Sequence, residues 1–280
     1  MSEFLQPGKV AWVQASVAEV RGAPSHAAEQ VSQALQGELC KPLAHQEGWL
    51  RAELPDGYQG WIRDWHLVAA SESQVKDYLQ GTNGRVQAPW AAVLSQPSEG
   101  AAPVAETVMG TRVQCLARQR GWVEVELPTK VTGWLREEQV RDGVDDWVAT
   151  SESILSMYES FLGVPYMWGG RSPKGFDCSG LVQFVLGLHG IAVPRDSPDQ
   201  FESFPRCSED PQPGDLLFFG APKIAHVAVQ FDAQRYLHAR GAVRFNSLQE
   251  GHPLYDESLA RQYRGRSRLL TQMAPSGGVS

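Results

Sequence analysis

The chain has 280 residues, 42% of them hydrophobic, which is enough for about two domains with buried cores. With 25 Lys and Arg against 32 Asp and Glu, the net charge is −7, so there is no basic excess to neutralise phosphates and no nucleic-acid partner is expected. No apolar run approaches the roughly 18 residues of a spanning helix, so no membrane partner is expected either.

The start, Met1-Ser2-Glu3-Phe4-Leu5-Gln6-Pro7-Gly8, has neither the basic nor the apolar segment of a secretion signal. Cys40, Cys115, Cys178 and Cys207 are widely spaced and suggest neither a zinc knuckle nor a disulfide framework. Both features lead us to expect a cytoplasmic protein.

The first half repeats itself at a constant offset of 73. Pro24-Ser25 meets Pro97-Ser98, Gly48-Trp49 meets Gly121-Trp122, Glu53-Leu54-Pro55 meets Glu126-Leu127-Pro128, and Gly60-Trp61 meets Gly133-Trp134. Two copies of a module of about 60 residues are implied. Alternation at Val10-Ala11-Trp12-Val13 and Leu50-Arg51-Ala52-Glu53, with a turn at Asp56-Gly57, predicts short strands in small, partly closed barrels. This Gly-Trp punctuation resembles bacterial SH3 domains. We place the modules at 1–72 and 73–143, each wholly β.

A third domain is expected over 144–272. Thr150-Ser151 are good helix caps, and Ile154, Leu155, Tyr158, Phe161 and Leu162 follow a helical spacing that Gly163-Val164-Pro165 stops. A second helix is predicted over 178–189, with Gly190 as its stop. Strands follow at 215–219, 226–231, 235–239 and 243–248, with 266–270 closing an antiparallel sheet, so this domain is α+β. Residues 273–280 are expected to be a flexible tail.

Cys178 sits at the predicted start of the second helix, where free N–H groups and the helix dipole favour thiolate. Local context leaves two readings open, a nucleophile or an inert buried cysteine. His226 and His238 lie six residues on either side of Asp232. A hairpin centred there sets them directly opposite one another, the arrangement of a base and its orienting partner. Two unrelated surface histidines, or a Cys-His-His zinc site, are the other readings of this pair. The remaining histidines, His26, His45, His66, His189 and His252, read as surface or capping residues. Cys40 and Cys115 read as strand residues, and Cys207 as a loop thiol.

Five ordered motifs then coincide: Tyr166-x-Trp168-Gly169-Gly170, Phe176-Asp177-Cys178-Ser179-Gly180-Leu181, Pro194-Arg195-Asp196-Ser197-x-x-Gln200, Pro213-Gly214-Asp215-Leu216, and His226-Val227-Ala228 with His238. Together they resemble the NlpC-type murein-peptide cysteine peptidases over about residues 150–270. The layout of two SH3-like modules before a peptidase is similar to the γ-D-glutamyl-L-diamino acid endopeptidases of cell-wall peptide recycling. The resemblance implies a multidomain protein, two small all-β SH3-like barrels followed by an α+β papain-like cysteine peptidase domain. It implies Cys178 as nucleophile, His226 as base, His238 as its orienting partner and Tyr166 as a helper at the oxyanion. It also implies that Asp177, Ser179, Asp196, Ser197, Trp168 and Tyr58 hold the substrate, with its free N-terminal amine, and makes Glu29 an acidic candidate. Tyr58 aligns with Val131 in the second copy, as a residue with a role outside the shared framework would. No cofactor and no metal are expected, and the partner is a small murein peptide. A secreted wall-lytic hydrolase anchored by its SH3-like modules is the alternative, and oligomeric state stays open.

Overall fold

The computed structural model describes residues 2–268, so the expected tail at 273–280 and the last two residues of the strand expected over 266–270 lie outside the described residues. By internal contacts the chain divides into two compact units, Met1–Asp145 and Asp146–Ser280.

The first unit contains two seven-stranded sheets. The first is built from β1 (Lys9–Val13), β2 (Val17–Arg21), β3 (Gln30–Leu35), β4 (Leu39–Gln46), β5 (Trp49–Glu53), β6 (Gln59–Arg63) and β7 (Leu67–Ser71). A helix, α1 (Glu72–Gly81), leads to β8 (Gly84–Val86), β9 (Trp90–Leu94), β10 (Pro103–Val108), β11 (Arg112–Gln119), β12 (Trp122–Glu126), β13 (Thr132–Arg136) and β14 (Val140–Asp142). The strand orders are β3-β2-β6-β5-β4-β1-β7 and β10-β9-β13-β12-β11-β8-β14, which are the same order displaced by seven strands. From β2 to β6 each strand has its counterpart at an offset of 73 at both ends. The β-bulge between Pro42 and Ala44 recurs between Cys115 and Ala117.

The Gly-Trp pairs have a steric cause. A Cβ on Gly133 would come within 2.7 Å of the Leu94 carbonyl oxygen and Val93 Cγ1, and one on Gly60 would drive into Val20 Cγ1. Glycine therefore lets β6 and β13 close onto β2 and β9. The tryptophans that follow Gly48 and Gly121 each carry an arginine on their face, Arg63 at 5.0 Å and Arg136 at 4.0 Å.

The helix α1 departs from the all-β expectation for this half. Ser71 and Gln74 form a reciprocal capping box, which satisfies the first free N–H groups. Val75 and Tyr78 bury its inner face against Trp12 and Ala70. The Tyr78 hydroxyl lies 3.0 Å from the carbonyl oxygens of both Arg112 and Glu126, shares its one proton between them, and ties the helix to the second sheet.

The second unit holds α2 (Ser151–Ser160), the small ribbon β15 (Arg171–Ser172) and β16 (Gly175–Phe176), α3 (Cys178–Leu188) and α4 (Ser197–Ser203). Its sheet is made of β17 (Arg206–Cys207), β18 (Leu216–Phe219), β19 (His226–Gln230), β20 (Tyr236–Arg240), β21 (Ala242–Asn246) and β22 (Tyr263–Ser267), with α5 (Glu257–Gln262) before the last strand. The order β17-β22-β18-β19-β20-β21 is antiparallel throughout. Thr150 caps α2 through the Ser153 N–H. The helix ends at Ser160, earlier than its apolar spacing suggested, and Leu162 is exposed on the turn that follows. Cys207 lies in the short β17 instead of a loop.

Nearly every residue of α3 is buried, because the helix is enclosed by the sheet, α2 and α4. Its tight seat requires Gly180, where a Cβ would fall on the Gly170 carbonyl oxygen. Among the described residues, no helix is long and apolar enough to cross a membrane.

Candidate active site

Asp177 is the N-cap of α3, and its Oδ1 accepts the Gly180 N–H at 2.6 Å. Cys178 is therefore the first helical residue, and its side chain is buried. The N–H groups of Ser179 and Val227 both point at the sulfur. Val227 directly follows His226, so the thiol lies against the first residues of β19.

His226 Nε2 lies 2.7 Å from His238 Nδ1. The hairpin that joins them is not centred on Asp232. Val229 pairs with Leu237 and Gln230 with Tyr236, which moves the centre to Ala233. The Asp232 carboxylate causes the shift, since its Oδ1 accepts the N–H groups of Gln234 and Arg235 at 2.9 and 2.8 Å and pins the turn one residue further on. His226 and His238 are consequently diagonal neighbours on one face instead of directly opposed ones. Diagonal positions lie about 7–8 Å apart at the backbone, a gap two imidazoles span. With those two nitrogens facing each other there is no room for an ion between them. Among the described residues, no cluster of three or more His, Cys, Asp or Glu is arranged to hold a metal.

A further residue, Asn246 at the end of β21, completes the row. Its Oδ1 is 2.9 Å from His238 Nε2, and its Nδ2 donates to the Leu254 carbonyl at 3.0 Å. No motif marked Asn246. The available signal is the tight turn at Gly241, which pairs His238 with Arg244 and leaves Asn246 on the diagonal.

Electrostatics favour a neutral resting pair. Burial, and then the Asp177 charge, push the Cys178 thiol up to about 11, against the pull of the Val227 and Ser179 N–H groups. The thiolate expected from the helix terminus is thus outweighed by desolvation. Burial lowers His226 to about 3, helped by His238 and Arg240. Burial also lowers His238 to about 4, with Arg244 and Arg240 adding to the shift and the Asn246 bond opposing it.

Tyr166 is half-buried, and its N–H donates to the Gly241 carbonyl at 2.9 Å. Burial first, and then the nearby Cys178 and Asp177, raise its phenol to about 12 against the opposing pull of Arg195, so it remains a proton donor.

The residues expected around the substrate are placed differently from one another. The Asp177 carboxylate is taken up by buried Arg195, whose Nη2 donates to Oδ2 at 2.6 Å and whose Nη1 donates to Oδ1 at 3.1 Å. The same Nη1 donates to Ser179 Oγ at 3.1 Å. Arg195 is a component that sequence reasoning quoted in a motif without a role. Asp196 is half-buried at the start of α4, Ser197 beside it is buried, and Gln200 donates to the Ser179 and Pro194 carbonyls at 3.1 and 2.8 Å. Trp168 is exposed on the turn closed by the Gly170 N–H and the Met167 carbonyl. Tyr58 belongs to the first unit, where it is half-buried in the β5–β6 turn, and its N–H donates to Asp56 Oδ1 at 3.0 Å. Glu29 precedes β3 in the same unit.

The NlpC/P60 family pattern matches residues 163–261, a span that includes Cys178, His226, His238 and Asn246. The bacterial dipeptidyl-peptidase Sh3 domain matches residues 20–67. The γ-D-glutamyl-L-lysine dipeptidyl-peptidase of Bacillus cereus is 30% identical over 245 residues, 84% of this chain and 70% of that one. Dipeptidyl-peptidase 6 of Lysinibacillus sphaericus is 29% identical over 261 residues, 88% of this chain and 94% of that one. The crystal structure of an NlpC/P60 family protein from Bacillus cereus ATCC 10987 superposes with a TM-score of 0.77 over 92% of this chain and 99% of that one. Identity there is 23%, so that likeness is one of fold.

Proposed function

The chain belongs to the NlpC/P60 family and is a cysteine peptidase, and from that premise we propose that it hydrolyses the γ-D-glutamyl–L-diamino acid bond of free murein peptides with an unblocked N-terminal L-alanine. The observation that carries the proposal is the span of the match to the Bacillus cereus γ-D-glutamyl-L-lysine dipeptidyl-peptidase, which takes in 84% of this chain and so extends well beyond the peptidase region. The second sheet, with its strand order and its offset of 73, is proposed as a second SH3-like module, and the peptidase unit as papain-like. Module boundaries near 72 and 143 belong to the same proposal.

In the proposed reaction the His226 imidazole takes the Cys178 thiol proton as sulfur attacks the γ-carbonyl carbon of D-glutamate. The oxyanion is held by the Cys178 N–H and the Tyr166 hydroxyl. The protonated His226 returns its proton to the departing amine of the diamino acid. A water molecule, deprotonated by His226, then cleaves the thioester and regenerates the thiol. A neutral thiol and imidazole suit this sequence, because the proton moves only as the carbon–sulfur bond forms.

Asp196 and Ser197 are the proposed contacts of the substrate amine in this unit, with Ser179 and exposed Trp168 beside them. Asp177 serves that group indirectly, through its pairing with Arg195. The proposal includes a recycling role in the cytoplasm.

The test is mass spectrometry of products from L-Ala-γ-D-Glu-L-Lys and its diaminopimelate counterpart, free and N-acetylated, with intact sacculi in parallel. Cleavage of the free peptides alone, reduced at least about 10⁴-fold in Cys178→Ala, is the expected result. Equal cleavage of acetylated peptides, or activity confined to sacculi, would overturn it.

A further inference from the structure

Three groups stand in a row, each from a different strand: His226 on β19, His238 on β20 and Asn246 on β21. Their protonation can be read from the far end. The Leu254 carbonyl only accepts, so the Asn246 atom facing it at 3.0 Å is the amide NH₂. The amide oxygen therefore faces His238 Nε2 at 2.9 Å, and that nitrogen must carry the proton. In a neutral imidazole the other nitrogen is then a bare acceptor. His238 Nδ1 thus accepts, and the bond at 2.7 Å requires a proton on His226 Nε2. One nitrogen remains, His226 Nδ1, with a free lone pair.

We infer that Asn246 is a positioning residue that locks both histidines as Nε2–H tautomers and so reserves the Nδ1 lone pair of His226 for the Cys178 proton. The inference rests on the reading of Cys178 and His226 as nucleophile and base. Without the Asn246 oxygen, His238 is free to carry its proton on Nδ1 and donate it to His226 Nε2. His226 would then hold its own proton on Nδ1, where it blocks transfer from the thiol. Asn246 acts two residues away from the sulfur, through a relay of two hydrogen bonds, and needs no contact with substrate.

The test compares the full-length wild type with Asn246→Leu and Asn246→Asp. Asp keeps an acceptor toward His238, whereas Leu removes it. Long-range ¹H–¹⁵N spectra of histidine-labelled protein at pH 7.5 report each tautomer, with assignments from His226→Gln and His238→Gln. Wild type is expected to show Nε2–H for both residues, and Asn246→Leu a Nδ1–H population at His238. In Asn246→Leu, kcat for peptide cleavage is expected to fall about 10–100-fold while KM stays within about threefold. Asn246→Asp is expected to keep the wild-type tautomers and recover kcat to within about fivefold of wild type. Alkylation of Cys178 by iodoacetamide follows the same order and requires no substrate. If no murein peptide is cleaved but tautomers and alkylation change as stated, the substrate proposal fails and this one stands. A Nδ1–H at His238 in wild type overturns it, as do unchanged tautomers in Asn246→Leu, or an Asn246→Asp as slow as Asn246→Leu.

Discussion

Each buried residue of the second sheet's core stands 73 places after a buried residue of the first, as Val86 does after Val13, Val93 after Val20, Val123 after Leu50 and Leu135 after Ile62. In the second unit, Cys178, His226, His238 and Asn246 come singly from four different elements. The duplicated half separates what holds a fold from what a fold carries. Positions kept in both copies are glycines at strand crossings, tryptophans under arginines, and small apolar core residues. Core positions exchange one small or apolar side chain for another, whereas the changes of chemical character at Tyr58 against Val131, Trp65 against Glu138 and His26 against Glu99 lie on turns and at the surface. Around Arg63 the first copy stacks His26 on Trp65, while in the second Arg136 pairs with Glu99. The same local framework supports an aromatic surface in one copy and an ionic one in the other.

The largest structural effect is expected where the second unit has no duplicate. Arg195→Met would leave the Asp177 carboxylate buried beneath the start of α3 without its partner. A loss of about 3–5 kcal/mol in urea unfolding is expected. A loss under about 1 kcal/mol would mean that the helix cap alone suffices to hold Asp177.

A smaller effect, equal in the two copies, is expected from Gly60→Val and Gly133→Val. Each inserts a side chain where two strands cross, and overpacking of this kind costs about 1–3 kcal/mol. Thermal unfolding should shift alike for the two variants, with Cys178 alkylation unchanged. A large shift in one and none in the other would break the equivalence of the sheets.

An effect confined to acid is the lability traceable to the histidine pair. His226 and His238 are held below the ordinary 6.5, at about 3 and about 4, so below pH 6.5 the unfolded chain binds protons that the folded one refuses. The stability they contribute is complete above pH 6.5 and is lost as pH falls toward 4 and then 3. Solvent reaches half-buried His226 and reduces the effect. Calorimetry from pH 7 to pH 4 should show a steeper decline for wild type than for His238→Gln, and parallel curves would refute the assignment.

Much of this architecture was legible in the chain. The offset of 73 announced two copies of one β module, Thr150 marked the start of α2, and the stretch from Asp177 to Gly180 located the start of α3. The capping box at Ser71 and Gln74 was equally available as a marker of α1, but a helix that buries little beyond Val75 and Tyr78 has a weak apolar period. The hairpin register was not legible, because one aspartate side chain moved its centre by a residue. The engagement of Asp177 by Arg195 was hidden as well, since the two lie 18 residues apart and meet only when α3 is seated.

By itself the sequence determined the repeat at an offset of 73 and singled out the candidate reactive side chains, because glycine spacing, apolar period and capping residues act over short stretches of chain. Tertiary structure alone decided which nitrogen of His226 is free, that Asn246 completes the row, and that the Cys178 thiol rests protonated. Those properties depend on burial and on hydrogen bonds between neighbouring strands, and both arise only once the sheet has closed over the helix.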